Sequence, residues 1–584
     1  MNRSRTALWA APVLMATCAL TGAAAAGAAG PAVPTSGAVA SDVIAVTHAQ
    51  NDRVPEGASW TQHYFPSSDG SDTELHADVL LPEGLVKGEK VPVILSVGSY
   101  YGHAGQNYPE GFTHTGPSDR FSDLIEDADL FARGYALVMV DSRGFGGSSG
   151  CLELAGRGQQ ADVRAAIDWS ADQRWSTGSV GMYGKSYDAI TGLVGNNLDQ
   201  DALKAVVAQE PIWDVSRNFR SNGVPRTTIV EVPNVYNASA ASPQMPDDEP
   251  RYLANAGYEL THPECLQKNS VDARTSDPQS EYWRSQDLSR QAKGSDTPLF
   301  VTQGFIEWNT EAEGMQEFLA NHQGPERGWL GQWDHVRGND RTPDGQLEMG
   351  REGWFAEVMS FYDQYLKGIA PTSEYPAYSI QDSTGTWRAQ DTWPAADSRV
   401  TLPVGRGSYL DDGRESGTDS KNSFITRSEP LDKATRITGT PRISLNAVGQ
   451  GNVMVKLHDV APDGTAVIFD EQVSLLSSGR TNFDLRSTDW TLAAGHSLAV
   501  EIGTITPDPF PLSAEFGPGN GWLGTPSQKR ITVTRAQLRV ALDNPADDTP
   551  TAGGRSPYLD VYLAQKTGEL PTGTATVTIP ASTG

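Results

Sequence analysis

Residues 181–197 read "GMYGKSYDAITGLVGNN": the end of an apolar run, a Gly-Lys-Ser corner, then an apolar stretch that suits a helix. A strand that turns directly into a helix through a serine holds the hydroxyl at the strand's tip. The first N–H groups of the helix then face any negative charge that develops there. Ser186 is therefore a candidate nucleophile. The strict pattern G-x-S-x-G is broken, because Asp188 stands where the second glycine would be. A bare G-x-S is common by chance, so Ser186 needs partners. His335, in "GQWDHVRG" after an apolar run, is the candidate base, and Glu307, in "VTQGFIEWNT" just past a strand end, the candidate acid. An imidazole oriented by a carboxylate can take the proton from a serine and so activate it. Asp334 and Asp340 are fallbacks for the acid.

Such residues act only if a scaffold brings them together. "VPVILSVG", "YALVMVD", "VGMYG", "AVVAQEP" and "PLFVTQG" are apolar on consecutive positions rather than alternating. That pattern belongs to parallel strands buried on both faces. Helical patterns lie between them, among them "QQADVRAAIDWSADQRW" and "EGWFAEVMSFYDQYLKG". Strand–helix alternation predicts a mostly parallel sheet with helices on both faces. The chain order Ser, acid, His is that of α/β-hydrolases. Residues 212–294 are rich in Asn, Ser, Pro and Asp and show no buried strand, which predicts an inserted cap. From about residue 395 the strands alternate and are parted by Gly, Asn and Asp turns, with no helix longer than a turn or two, which predicts an all-β sandwich.

The 584 residues exceed what one core can organise. Net charge is −27, so no basic footprint exists for phosphates and nucleic acid is excluded as a partner. The N-terminus carries Arg3 and Arg5, an apolar run from Ala7 to Leu20, and A-x-A sites near Ala24 to Ala29. This reads as a signal peptide over residues 1–29, so the mature chain is expected to be secreted and free of the membrane. Cys151 and Cys265 then remain, and in an oxidising compartment they can pair. No Cys/His cluster has metal-ligand spacing, and neither a metal nor a cofactor is expected. Oligomerisation is compatible with all of these features.

The strings "DWSADQRWSTGSVGMYGKSYDA", "VDSRGFGGSSG", "GFIEWNT", "QWDH", "FYDQYLKG", "WRAQDTWP" and "RITGTPRISL" jointly resemble the Xaa-Pro dipeptidyl-peptidase/cocaine-esterase family of serine hydrolases. The resemblance implies an α/β-hydrolase domain (45–211 and 295–394), a helical cap (212–294) and a C-terminal jelly roll (395–584). It implies Ser186 as nucleophile, His335 as base and Glu307 as acid, at a place usually held by Asp. It implies an oxyanion hole from the Tyr100 hydroxyl and the Tyr187 N–H. Ala189 stands where the family has Gly, which puts close helix–strand packing in question.

The expected reaction is release of N-terminal Xaa-Pro dipeptides through an acyl-enzyme, with an esterase or acylase on small acyl compounds as the alternative and a non-catalytic binding protein as a third. A peptidase of this kind needs an anionic group for the substrate amine. Glu210, Asp214 and Glu231 are candidates for it, and Trp213, Phe219, Tyr236 and Trp283 for the pocket wall. Asp141 and Arg143 are read as shaping a turn.

Overall fold

The computed structural model describes residues 51–106, 111–414, 422–506, 521–570 and 576–580. The segment read as a signal peptide lies outside the described residues. The described chain opens with an antiparallel hairpin, β1 (Ala58–Pro66) and β2 (Glu74–Pro82). β3 (Val91–Gly98), α1 (Ser122–Glu126), β4 (Ala136–Asp141), α2 (Arg157–Ala171), β5 (Ser176–Lys185), α3 (Tyr187–Asn197) and β6 (Leu203–Gln209) follow. The cap holds α4 (Val215–Phe219), the short pair β7 (Arg220–Ser221) and β8 (Val224–Pro225), and α5 (Thr228–Ala240). It continues through α6 (Pro250–Ala256), α7 (Tyr258–Thr261), α8 (Pro263–Asp272), α9 (Glu281–Arg284) and α10 (Leu288–Gln291). The main sheet resumes with β9 (Leu299–Gly304), α11 (Met315–Asn321), β10 (Glu326–Gly331), α12 (Trp354–Lys367), β11 (Tyr378–Gln381) and β12 (Trp387–Gln390).

The strand order is β1-β2-β4-β3-β5-β6-β9-β10-β11-β12, extended by one late strand. From β4 to β11 all neighbours are parallel. Both faces are buried, as the consecutive apolar runs demand. Along β3, Val93, Leu95 and Val97 join the core beneath α2 and α3, while Ile94 joins the core beneath α1 and α12. On α12, Phe355, Val358, Met359, Tyr362 and Leu366 face that second core.

The C-terminal part forms two stacked sheets. One holds β13 (Ser398–Asp411), β15 (Thr435–Val448), β18 (Gly479–Asp484), β19 (Thr488–Leu492) and β21 (Lys529–Asp543). The other holds β14 (Ser423–Arg427), β16 (Gly451–Val460), β17 (Thr465–Leu476), β20 (Ser497–Gly503) and, at its edge, β23 (Thr567–Glu569). Apolar residues of both inner faces make one core, including Ile437, Leu457, Val473 and Leu538. Two features depart from the expected all-β module. β22 (Thr549–Pro550) leaves the sandwich and pairs with β12 at the edge of the main sheet. A ten-residue helix, α13 (Pro557–Lys566), follows it. Its sequence "PYLDVYLAQK" buries only Leu559, Tyr562 and Lys566, so its periodic signal is too weak to stand out among strands.

A disulfide joins Cys151, after the Gly-rich turn that follows β4, to Cys265 in α8 of the cap. Asp141 accepts the Gly147 N–H at 2.8 Å, and Arg143 pairs with Asp162 at 2.6 Å and Asp69 at 2.8 Å, so both shape that turn. Among the described residues, no helix is long and apolar enough to cross a membrane.

Candidate active site

Ser186 lies between β5 and α3 with φ 66° and ψ −120°. For a residue with a Cβ this conformation is strained, and a surrounding structure must hold it. Three contacts do so. The Ser186 N–H donates to the Gln209 carbonyl at 2.9 Å, and the Ser186 carbonyl accepts from Ala189 and Ile190 at 3.0 Å each. Gly184 permits the close approach of strand and helix: a Cβ there would sit 2.4 Å from Asp188 backbone. Ala189 is fully buried in the core beneath α3, so the methyl group is accommodated where the resemblance implied glycine.

Asp188, which broke the G-x-S-x-G pattern, has a structural partner. Arg120, buried, donates from Nε to its carboxylate at 3.1 Å and from a terminal nitrogen to the Lys185 carbonyl at 3.1 Å. Its guanidinium lies 4.4 Å from the centre of the Tyr100 ring. Arg120 therefore ties the elbow to the loop that carries Tyr100. Nothing in "GPSDRFSD" signals this, because the contact spans 68 residues of chain. The Tyr100 hydroxyl interacts with Ser186 and lies 3.1 Å from the Tyr236 hydroxyl on α5. Burial raises the phenol above its ordinary value, so it remains a proton donor. The N–H of Tyr187 is the first of α3 and has no partner within the helix.

Glu307 follows β9 and His335 follows β10, two strands that run parallel beside β6 and β5. All three loops therefore leave the same edge of the sheet, where sites in such folds gather. Glu307 Oε1 lies 2.9 Å from His335 Nδ1. The carboxylate also accepts the N–H groups of Asn309 (3.0 Å), Thr310 (2.8 Å) and Glu311 (2.5 Å) and the Thr310 hydroxyl (3.1 Å). Burial would raise its pKa, but the imidazole and these donors hold the carboxyl below its ordinary range. It is an ionised acceptor that fixes the Nδ1–H tautomer and leaves Nε2 basic. Gly304 lets the two loops meet: a Cβ there would lie 2.3 Å from the Trp333 carbonyl. Of the fallback acids, Asp340 accepts the Arg337 N–H instead, and the carboxylate at the imidazole is that of Glu307.

Of the amine-binding and pocket-wall candidates, Glu210, Asp214, Trp213 and Trp283 are bonded within the protein, whereas Phe219 and Tyr236 line a cavity. Glu210, fully buried, accepts from Gly304 N (2.9 Å), Trp333 Nε1 (2.9 Å) and Thr302 Oγ1 (3.1 Å). Burial and the nearby Glu307 charge push its carboxyl up to about 8. Asp214 caps α4 through the N–H groups of Ser216 and Arg217 and pairs with the Arg217 guanidinium. Trp213 donates to Gln303 Oε1 and Trp283 to the Thr275 carbonyl, both buried. The Trp213 bond joins cap to sheet, whereas Glu210 is bonded within the sheet domain and Asp214 and Trp283 within the cap. The Glu231 side chain lies outside the described residues.

A cavity of about 260 Å³ opens beside the elbow, between the start of α2 and the cap helices. Tyr236 lines it, and the Tyr236 ring also packs on Tyr187, 5.1 Å between centres. Leu152, Val215, Phe219, Val232 and Tyr282 make it mainly apolar. Glu153 stands on its wall. One carboxylate oxygen accepts the Gly158 N–H at 2.8 Å, and its main-chain carbonyl accepts the Tyr187 hydroxyl at 3.0 Å.

Residues 69–337 match the family profile of the S15 X-Pro dipeptidyl-peptidases, and residues 372–521 that of the C-terminal non-catalytic domain of X-Pro dipeptidyl-peptidases. The chain belongs to the X-Pro dipeptidyl-peptidase/cocaine-esterase family of serine hydrolases. It is similar to a Streptomyces avermitilis protein provisionally named an Xaa-Pro dipeptidyl-peptidase, 25% identical over 68% of this chain and 63% of that one. A Mycobacterium tuberculosis protein provisionally named a serine esterase is 23% identical over 80% of this chain and 89% of that one. The cocaine esterase of a Rhodococcus species is 22% identical over 53% and 59%. The chain thus spans a little under two thirds of the Streptomyces relative. Among solved structures, a CocE/NonD family hydrolase from Staphylococcus aureus aligns with TM-score 0.61 at 16% identity, over 83% of this chain and 94% of that one. An aminopeptidase from a marine-sediment thaumarchaeon aligns with TM-score 0.60 at 18% identity, over 88% and 98%. At these identities the likeness is one of fold. The chain thus combines an α/β-hydrolase fold with a strand-rich C-terminal domain.

Proposed function

We propose that this serine hydrolase is an exported Xaa-Pro dipeptidyl-peptidase working through an acyl-enzyme on Ser186. His335 Nε2 takes the Ser186 proton as Oγ attacks the acyl carbon. Glu307 holds the imidazolium that forms. The Tyr100 hydroxyl and the Tyr187 N–H receive the oxyanion, each such donor typically contributing about 2.7–4 kcal/mol in the transition state. The imidazolium then protonates the leaving amine, and water repeats the sequence on the ester. Export is supported by the signal-like N-terminus and by the Cys151–Cys265 bond, which suits an oxidising compartment.

The observation that carries the peptidase reading is the Glu153 carboxylate on the wall of an apolar cavity beside the elbow. Its oxygen that is not bonded to Gly158 can receive a substrate ammonium while the apolar wall takes the dipeptide side chains. A second reading, a small-acyl esterase, is favoured by one specific finding: Glu210 and Asp214 are buried and bonded within the protein. Comparing Gly-Pro-p-nitroanilide with its N-acetyl derivative separates the two. The peptidase reading expects acetylation to lower kcat/KM at least about tenfold, and Glu153→Gln to narrow that gap. Equal rates for the two substrates would overturn it and leave the esterase.

A further inference from the structure

On the sheet edge away from Glu307 and His335, two histidines and three aspartates are buried together. His76 Nδ1 lies 2.9 Å from Asp141, and His103 Nδ1 lies 2.6 Å from Asp248. Both rings therefore point Nε2 at one shared carboxylate, that of Asp78: 3.2 Å from His103 and 3.9 Å from His76. His76 Nε2 is also 3.1 Å from Gln62 Oε1. All five ionisable side chains are at most 1% exposed.

We propose that His76, His103 and Asp78 form a binding site for one divalent transition-metal cation of the zinc type. Imidazoles that ligate metals characteristically donate Nδ1–H to a carboxylate, which fixes the tautomer and aims the Nε2 lone pair at the ion. Here both imidazoles have that carboxylate. Metal binding replaces the hydrogen that His103 Nε2 shares with Asp78 (3.2 Å), while Asp78 Oδ1 keeps the Trp60 Nε1 donor at 2.6 Å. Spacing agrees. With metal–ligand bonds of about 2.0–2.1 Å in tetrahedral geometry, ligand atoms lie roughly 3.3 Å apart. The three ligand atoms all lie within 4.8 Å of one another. Gln62 Oε1 is placed to be the fourth ligand.

Charge agrees as well. Three carboxylates face two imidazoles, and the Arg53 guanidinium, which Asp78 and Asp248 attract, is engaged with the His103 and His114 carbonyls. The five clustered side chains hold more carboxylates than imidazoles, an excess of negative charge that a divalent ion offsets. His76 and Asp78 are two apart on β2 and so share a face. His103 comes from the loop that carries Tyr100, so no local spacing in the sequence reveals the set.

The site would join three parts of the protein. β2 belongs to the sheet, His103 lies three residues after Tyr100, and Asp248 belongs to the cap. The ring of Tyr252 on α6 stacks on His103, 4.2 Å between centres. The ion would act on structure, pinning cap and Tyr100 loop to the sheet edge.

The test uses the full-length protein. Metal content is measured before and after 1,10-phenanthroline treatment, the stripped protein is titrated with Zn²⁺ and Co²⁺, and thermal unfolding is followed at each stage. The expected result is about one tightly bound equivalent of Zn²⁺, a Tm that falls on stripping and recovers with zinc, and a tetrahedral Co²⁺ absorption band. His76→Asn and His103→Asn, where folded by circular dichroism, should each bind under about one tenth of an equivalent. Stripped wild type that takes up no stoichiometric Zn²⁺, with Tm indifferent to chelator, would overturn the proposal and leave a network of protonated imidazoles on aspartates. Folded variants that keep a full equivalent would overturn it equally, by placing the metal elsewhere. If neither variant folds, the wild-type titration decides alone.

Discussion

At the scale of single residues, the two buried glutamates near the imidazole differ in protonation. Glu307 is held ionised by His335 and by N–H donors, whereas Glu210 is kept protonated by burial and by the charge of Glu307. Glu307→Gln preserves shape but removes the charge and reverses the preferred tautomer, so kcat should fall by about 10³–10⁴-fold with KM little changed. Steady-state kinetics check this, and a loss under about tenfold would move the acid elsewhere. Glu210 gives a prediction about pH. Its folded pKa, about 8, lies above the ordinary glutamate value of about 4.3. The folded state therefore keeps a proton that the unfolded chain releases in between. The stabilisation is complete below about pH 4.3 and is lost as pH rises through about 8. Tm measured from pH 5 to 8.5 should decline less in Glu210→Gln than in wild type. Because Glu210 is turned into the protein, the same variant should leave KM for free-amine substrates unchanged, unlike Glu153→Gln.

At the scale of elements, the elbow depends on how closely β5 and α3 approach. Gly184→Ala would place a methyl 2.4 Å from Asp188 backbone, which cannot give way as a flexible side chain could. We expect a loss of about 1–3 kcal/mol and a nucleophile that reacts slowly with an active-site probe. Gly192→Ala, whose Cβ would meet Val206 Cγ1 at 3.3 Å, is the control and should cost less. Chemical denaturation compares the two. These elements also show what the sequence could disclose. Ser186, Glu307 and His335 were visible because each ends a strand with a two-sided apolar signature, and strand ends in a parallel sheet share an edge. The sheet, α2 and α12 were visible for the same reason of periodicity. Arg120, Glu153 and the cluster of His76, Asp78 and His103 were not, since their partners are set by tertiary contact with no local spacing. Glu210, Trp213, Asp214 and Trp283 misled for the complementary reason. They sit near strand and cap junctions in the chain, but which way a side chain turns there is decided by packing. The helix α13 was lost among strands because so few of its residues are buried.

At the scale of the whole molecule, the sandwich braces the loop that carries the acid. Trp308, next to Glu307, has two cations from the sandwich region over its ring, Arg486 at 4.1 Å and Lys566 on α13 at 4.2 Å from its centre. Glu311 at the other end of the same loop pairs with Arg226 of the cap at 2.9 Å and faces Arg486 at 3.8 Å. Gln332, three residues before His335, donates to the Asp489 carbonyl of β19. Residues far from any substrate therefore hold the carboxylate and imidazole in register, and small displacements of such groups are costly. Lys566→Met should lower kcat on the order of 10–100-fold while KM moves less, and should reduce stability because Glu471, 3.0 Å from the ammonium, loses its partner. Kinetics at a temperature where the variant is folded check this; an unchanged kcat would confine the sandwich to a passive role. The kinetic expectations presuppose that the hydroxyl at the β5–α3 corner is the nucleophile. Labelling with a fluorophosphonate, read by intact mass and peptide mapping, tests that most directly. The account predicts one adduct per chain, on the peptide containing Ser186, absent in Ser186→Ala and strongly slowed in His335→Ala. Equal labelling of wild type and Ser186→Ala, or an adduct on a different serine, would contradict it.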